Sequence, residues 1–128
     1  MATRAILVIE PDEHNAKLLD AVLVEEGYEV TNVRSLEEAI VLLSDRPSRA
    51  LGRFDLIITE AFNQSDYYRF DPAFLADLKS VAGDTPIVLS SVYPSTERLR
   101  AGAFGLAEVV RKPFTIEELL EKVHRLLG

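Results

Sequence analysis

Cysteine is absent from this chain of 128 residues, and long apolar runs are absent as well. Without cysteine the chain has no disulfides, no thiolate metal ligands and no cysteine nucleophile. The first apolar run, 5–9, is far shorter than the roughly 18–20 residues that a membrane-spanning helix needs, and it is too short for a signal peptide. We therefore expect a soluble, cytoplasmic protein with no membrane partner.

Basic residues are scarce relative to acidic ones. The chain has 14 lysines and arginines against 21 aspartates and glutamates, which gives a formal net charge of −7. A protein that neutralises nucleic-acid phosphates needs a basic face, so this balance argues against direct nucleic-acid binding. The apolar content of 48% and charged content of 27% are typical of a folded domain with a real core. The length suits a single domain over residues 1–128.

Continuous apolar runs alternate with amphipathic segments along the chain. The run at 5–9 is typical of a strand that is buried on both faces of a parallel sheet, and further strands are predicted at 55–59 and 87–91. Shorter strands are predicted at 28–33 and 108–111. Alternation of five strands with helices predicts an α/β protein, in which helices cover both faces of a parallel sheet through right-handed crossovers.

Helix ends are marked by recognisable capping residues. Asp12 or a neighbouring residue can cap the first helix, and Gly27 is placed to end it in the left-handed conformation. Two capping boxes open the second and the last helix, at Ser35–Glu38 and Thr115–Glu118. Further helices are predicted at 72–78 and 95–105, and a long loop at 60–71. The predicted apolar stripes are Leu18, Leu19, Val22 and Leu23 on the first helix, and Ile116, Leu119, Leu120, Val123 and Leu127 on the last.

Polar residues cluster where these strands end. Glu10 and Asp12 follow the first strand, Glu60 follows the third, Ser91 ends the fourth, and Lys112 follows the fifth. Ligands bind at the carboxyl ends of the strands in such sheets. Carboxylates there have the oxygen ligands that Mg²⁺ prefers, and a lysine and a serine hydroxyl can hold a phosphoryl group. The sequence therefore predicts a site at this edge.

Four segments resemble the receiver (CheY-like) domain of bacterial response regulators in two-component, or phosphorelay, signal transduction. They lie at 5–12, 54–60, 86–91 and 111–114, and the last contains the Lys112-Pro113-Phe114 hallmark. The resemblance covers nearly the whole chain. It implies a flavodoxin-like (βα)5 fold, a three-layer α/β/α sandwich with a five-stranded parallel sheet in the order 2-1-3-4-5. It also implies a cis peptide bond before Pro113.

By position, the resemblance assigns the family's acidic pair to Glu10 and Pro11 and its phospho-acceptor to Glu60. The family's switch hydroxyl falls on Ser91 and its phosphate-binding lysine on Lys112. Its aromatic switch residue falls on Val109, which is too small to swing as a tyrosine does. The Met-Pro pair that often follows the acceptor is absent at Ala61-Phe62.

These departures concern the residues that carry the family's chemistry. Pro11 has no side-chain oxygen for Mg²⁺, an ion that demands near-ideal octahedral coordination. We therefore expect weak or absent Mg²⁺ binding at Glu10, Asp12 and Glu60, and no other cofactor. The Glu60 carboxylate lies about 1.5 Å further from the backbone than an aspartate's, whereas such constellations tolerate errors of about 0.5 Å. The interpretation is a non-enzymatic pseudo-receiver, held in one state by a Glu60–Lys112 pair.

Protein partners follow from this interpretation, and other functions stay open beside it. We expect a sensor kinase or a downstream signalling protein as partner, or a homodimer. An interaction surface is predicted at Tyr67, Tyr68, Val109 and Arg111. The alternative that retains chemistry is a Mg²⁺-dependent receiver phosphorylated on Glu60 or Asp12. A phosphohydrolase with an Asp-x-Asp motif and a flavin binder are disfavoured, because 10–13 reads Glu-Pro-Asp-Glu, which lacks the first aspartate and repels phosphate.

Overall fold

Eleven elements of secondary structure are present in the part of the chain that the structure describes. The structure is a computed structural model that describes residues 3–44, 54–59, 62–63, 66–70, 72–91, 106–111 and 115–127, with the backbone alone at 62–63, 66–70, 72, 91 and 111. In chain order the elements are β1 Ala5–Ile9, α1 Glu13–Glu25, β2 Glu29–Val33, α2 Leu36–Ser44, β3 Leu56–Thr59, β4 Phe62–Asn63, β5 Asp66–Phe70, α3 Pro72–Ala82, β6 Ile87–Ser91, β7 Glu108–Arg111 and α4 Ile116–Leu127.

Five strands form one parallel sheet in the order β2-β1-β3-β6-β7. Counted within this sheet alone the order is 2-1-3-4-5, so the predicted fold is confirmed. The central strands pair in continuous register, with Ile9 opposite Thr59 and Thr59 opposite Leu89. Their carboxyl ends therefore meet at one edge. The helix predicted at 95–105 lies outside the described residues.

The core is divided by the sheet into two layers. Leu7, Ile9 and Ile57 face a cluster that includes residues of α2 and α3. Ile6, Val8 and Ile58 face the other cluster, which includes residues of α1 and α4. Adjacent residues of one strand point to opposite faces, so a strand covered by helices on both sides must be apolar at every position. This explains the unbroken apolar run of β1.

The predicted helix caps are present. The Asp12 carboxylate accepts a hydrogen bond from the Asn15 backbone N–H at 3.0 Å, and Gly27 adopts φ of +96° after α1. The backbone N–H of Glu38 donates to the Ser35 hydroxyl at 3.1 Å, and Glu118 repeats this contact with Thr115 at 3.1 Å. The local sequence therefore determines where these helices begin and end.

Two sequence-based expectations are wrong. The predicted loop at 60–71 contains an antiparallel hairpin formed by β4 and β5. The tyrosine and phenylalanine residues of this segment favour strands. The apolar stripes of α1 and α4 are also narrower than predicted, since Leu18 on α1 is 53% exposed and Ile116 on α4 is 45% exposed. Leu19 and Leu23, four residues apart, are the residues by which α1 enters the core.

The last helix is tied to the sheet by an ion-pair group around Glu108. This carboxylate lies 3.2 Å from the Lys122 ammonium and 3.3 Å from the Arg125 guanidinium. Burial alone would raise the pKa of Glu108, but hydrogen bonds from Lys122 and from the Val109 backbone N–H, with the charges of Lys122 and Arg125, hold it below the ordinary value. The side chain of Glu108 is 16% exposed, so these charges are only partly screened by solvent.

We predict that Glu108→Gln lowers the free energy of unfolding by about 1 kcal/mol at neutral pH, because it removes a charge that accepts hydrogen bonds. A carboxyl whose pKa is lowered by folding stabilises the fold above its unfolded pKa, and this contribution is lost as the pH falls through its folded pKa. The difference between variant and wild type should therefore shrink in acid. Urea denaturation across pH measures it.

Glu121→Gln is the control for this prediction. Glu121 pairs with Arg125 at 2.7 Å, but its side chain is 69% exposed, so its loss should change stability little. A Glu108→Gln deficit of the same size at every pH would show that packing, rather than charge, accounts for the effect.

Candidate functional site

The carboxyl edge of the sheet brings Glu10 and Asp12 to the point where β1 passes into α1. Among the predicted site residues, these two are described with their side chains. Glu60, Lys112 and Pro113 lie outside the described residues, and so do the side chains of Ser91 and Arg111. The backbone places Ser91 at the end of β6 and Arg111 at the end of β7, on the same edge.

Glu10 is a buried carboxylic acid at the end of a central strand. Its side chain is 2% exposed, and one carboxylate oxygen accepts a hydrogen bond from the Asp12 backbone N–H at 3.2 Å. Its own backbone N–H donates to the Val33 carbonyl at 3.0 Å, which extends the contact between β1 and β2 by one residue. A buried polar side chain must be hydrogen-bonded, and here the following loop contributes a donor.

Asp12 has a structural role in the same turn. As the N-cap of α1 it accepts from the Asn15 N–H through its side chain, while its carbonyl accepts from the Ala16 N–H at 2.9 Å. An N-cap stabilises a helix by about 1 kcal/mol. The sequence analysis assigned Asp12 both this cap and a metal-binding role, and the described contacts confirm the cap.

The described residues of this edge do not by themselves complete a Mg²⁺ site. Each of the two carboxylates commits an oxygen to a backbone N–H in the turn, and Pro11 between them contributes no side-chain oxygen. Mg²⁺ requires several oxygens directed at one point at 2.0–2.1 Å. Within the described ranges, no group of three acidic or histidine side chains is arranged to hold a metal ion.

A polar groove adjoins Glu10 between α1 and the end of β2. Glu13 lies 3.3 Å from the Lys17 ammonium and 3.6 Å from the Arg34 guanidinium. All three side chains are at least 60% exposed, so these ion pairs contribute little to stability. The other residues that line the groove are Glu10, Ala16, Asp20, Asn32 and Val33. The sequence analysis missed this groove, because its residues come from separate elements with no common motif.

Val109 is not a surface residue. It is 6% exposed and packs in the core cluster on the side of α2 and α3, whereas the next residue, Val110, packs on the side of α1 and α4. The prediction that Val109 contributes to an interaction surface is therefore wrong. Alternation along β7 directs this position inward, and a valine is small enough to fill it.

Ser90 is a buried polar residue that the sequence analysis did not single out. It is 2% exposed, and its hydroxyl lacks a hydrogen-bond partner within the structure as described. Its neighbour on β7 is Val110. Thr85, also buried, instead donates its hydroxyl to the Phe54 carbonyl at 3.3 Å. In the sequence, the position of Ser90 directly after the apolar residues of β6 was the indication that its hydroxyl is buried.

We predict opposite effects on stability from removing these two hydroxyls. Ser90→Ala should leave the free energy of unfolding unchanged or raise it by about 1 kcal/mol, since it removes an unpaired buried polar group. Thr85→Ala should lower it by about 1 kcal/mol or more, since it leaves a carbonyl without its donor and removes a methyl group. Thermal and urea denaturation of both variants measure this. A destabilised Ser90→Ala protein would indicate a bound water on Ser90.

No protein-family model matches the sequence. The chain is 29% identical over 115 residues to the two-component response regulator ARR11 of Arabidopsis thaliana, covering 89% of this chain and 20% of that protein. It is 26% identical over 115 residues to ARR12 of the same plant, covering 89% of this chain and 18% of that protein. The chain thus corresponds to about a fifth of the length of these relatives.

Solved structures of response regulators superimpose on nearly the full length of this chain. A two-component response regulator from Clostridium difficile superimposes with a TM-score of 0.79 at 25% identity, covering 98% of this chain and 96% of that one. The chemotaxis response regulator CheY4 of Vibrio cholerae gives 0.76 at 23% identity, covering 98% and 99%.

The sheet order and these likenesses together indicate the class of protein. The chain has the fold of CheY-like response-regulator receiver domains and is similar in sequence to two-component response regulators over 115 residues. No described helix has the length and apolar character required to cross a membrane.

Proposed function

We propose that this receiver domain is a phosphorylation-independent protein-interaction module with no catalytic activity of its own. The observation that carries the proposal is the turn after β1. Pro11 stands where the family has a metal-binding acid, and both flanking carboxylates accept hydrogen bonds from the backbone of the same turn. Glu60 at the acceptor position is the second support, since its carboxylate is displaced relative to that of aspartate.

Protein partners of the two-component system are the proposed ligands. The relatives that share this domain are named two-component response regulators, and this chain resembles only the part of them that it matches. We infer a sensor kinase or a downstream signalling protein as the partner, in the cytoplasm. Direct nucleic-acid binding is disfavoured by the net charge of −7.

Restoring the family residues tests the proposal. Wild-type protein and the Pro11→Asp/Glu60→Asp double variant are incubated with Mg²⁺ and a small acyl-phosphate donor, and incorporated phosphate is measured by mass spectrometry. We predict no incorporation into the wild type and measurable incorporation into the double variant. The double variant regains both the missing oxygen ligand and the shorter acceptor.

Phosphorylation of the wild type would contradict the proposal and favour the alternative, a Mg²⁺-dependent receiver. Peptide mapping would then distinguish Glu60 from Asp12 as the acceptor. The single variants Pro11→Asp and Glu60→Asp are the matched controls, since each restores one of the two requirements. Titration of the wild type with Mg²⁺ and beryllofluoride, followed by backbone NMR, is an independent measurement in which we expect no saturable shift at Glu10 or Asp12.

The Glu60 carboxylate itself has a proposed role. We propose that its charge pairs with Lys112 and holds the domain in one state without phosphate. Glu60→Ala should therefore shift amide resonances of β7 and the first turn of α4, which flank Lys112 in the sequence, while Glu60→Asp should shift them less. Unchanged resonances in Glu60→Ala would disprove this role. The protein-interaction proposal would then still be tested by the phosphorylation experiment.

A further inference from the structure

One face of α1 carries apolar side chains that are exposed to solvent. Leu18 is 53% exposed and Val24 is 51% exposed, and Ala21 between them is exposed as well. The opposite face of the helix enters the core through Leu19 and Leu23. Residues three apart are neighbours on a helix surface, so Leu18, Ala21 and Val24 form one continuous stripe. The fold of a single chain therefore leaves this stripe available to a partner.

Opposite charges stand at the two ends of this stripe. Lys17 precedes Leu18 and Glu25 follows Val24, and both charged residues are exposed. At 3.6 residues per turn, the five positions span about 120° of the helix surface, with Ala21 at the centre. Lys17 and Glu25 are each four residues from Ala21, and Leu18 and Val24 are each three. The face therefore has the same order of charged, apolar and small residues in either direction, with a base at one end and an acid at the other.

We propose that α1 packs antiparallel against α1 of a second copy of this chain, about a two-fold axis at Ala21. In such a pair, residues at equal distances before and after Ala21 come to the same level on the two helices. Lys17 of each copy then lies beside Glu25 of the other, and Leu18 of each copy lies beside Val24 of the other. The small side chain of Ala21 lets the helix axes approach to about 8 Å, the close end of the usual range.

The order of the charges favours a second copy as the occupant. An antiparallel pair joins unlike charges at both ends of the contact, whereas a parallel pair would place Lys17 against Lys17 and Glu25 against Glu25. A different protein would need an acid, apolar residues and a base at this spacing, and α1 itself has them. Lys17 is 76% exposed and lies 3.3 Å from Glu13 of its own helix. A lysine ammonium has three donors, so it can bind a second carboxylate as well.

The net charge of −7 weakens this contact but does not oppose it locally. Charges further than about 8 Å from the contact are largely screened at physiological ionic strength. Within the contact, Lys17 and Glu25 sum to zero. Glu13, at the flank of this face, is also paired with Arg34 at 3.6 Å. A single helix pair buries a small area, so we expect a weak dimer with a dissociation constant of roughly 0.1–1 mM.

Charge reversal tests the pairing. Lys17→Glu and Glu25→Lys each oppose like charges at both ends of the contact, and each should weaken dimerisation at least fivefold. The double variant Lys17→Glu/Glu25→Lys restores both pairs at an unchanged net charge, so it should associate as the wild type does. Sedimentation equilibrium up to about 1 mM measures this. Glu121→Lys, at a side chain that is 69% exposed on α4, makes the same change in charge as Glu25→Lys and should not weaken the dimer.

Single thiols test the position of the axis, because the chain has no cysteine. With helix axes about 8–10 Å apart, the two Ala21 Cα atoms approach to about 5 Å, a distance that a disulfide spans. Asp20 is turned about 100° away from the contact, so its two Cα atoms lie beyond the reach of a disulfide. We expect mild oxidation to cross-link Ala21→Cys at least tenfold faster than Asp20→Cys.

Three results would each overturn the proposed dimer. They are a wild type that stays monomeric up to about 1 mM, a double variant that associates no better than the single variants, and equal cross-linking of Ala21→Cys and Asp20→Cys. The proposed contact includes neither Glu60 nor Pro11. Phosphorylation of the wild type would therefore contradict the proposed function and leave the dimer unaffected, whereas a monomeric wild type would contradict the dimer alone.

Discussion

Burial of the central strands on both faces is the constraint on which the rest of the structure depends. Along β1, Ile6 and Val8 belong to one helix layer, and Leu7 and Ile9 belong to the other. A slip of one residue would exchange the two sets, so the register with β3 is strongly specified. That register fixes where each strand ends. The ends of β1, β3 and β6 share one edge because the buried apolar residues before them fix the register.

At that edge the acidic residues have structural roles that do not depend on a metal. Glu10 accepts from the Asp12 N–H, and Asp12 in turn caps α1. The pair therefore continues the strand into the helix with its polar groups satisfied. Acids at the end of β1 are therefore useful to the fold whether or not a metal ion binds, and their presence alone is weak support for phosphoryl chemistry.

The sequence allowed prediction of the parallel sheet and the helix caps, because both depend on local patterns. A continuous apolar run identified β1, and the capping boxes located the starts of two helices. The hairpin was missed because β4 has only two residues, too few to show the alternation that marks a strand. For the site, the positions of Glu10 and Asp12 were predictable, whereas their hydrogen bonds depend on the backbone path of a single turn. The inward direction of Val109 likewise depends on the phase of β7, which a four-residue strand leaves weakly marked.

Pro11 restrains the backbone of the turn that joins β1 to α1. A proline restricts the residue before it to extended backbone, which suits Glu10 at the end of β1. It also fixes its own φ and lacks an N–H, which costs nothing where strand pairing has ended. Asp12 then lies in an extended conformation, with φ of −83° and ψ of 118°, as an N-cap requires. Proline, which has no side-chain oxygen for a metal ion, therefore stiffens the joint between strand and helix. A rigid joint suits a domain that presents one fixed surface, whereas a phosphorylation switch requires two arrangements at this edge.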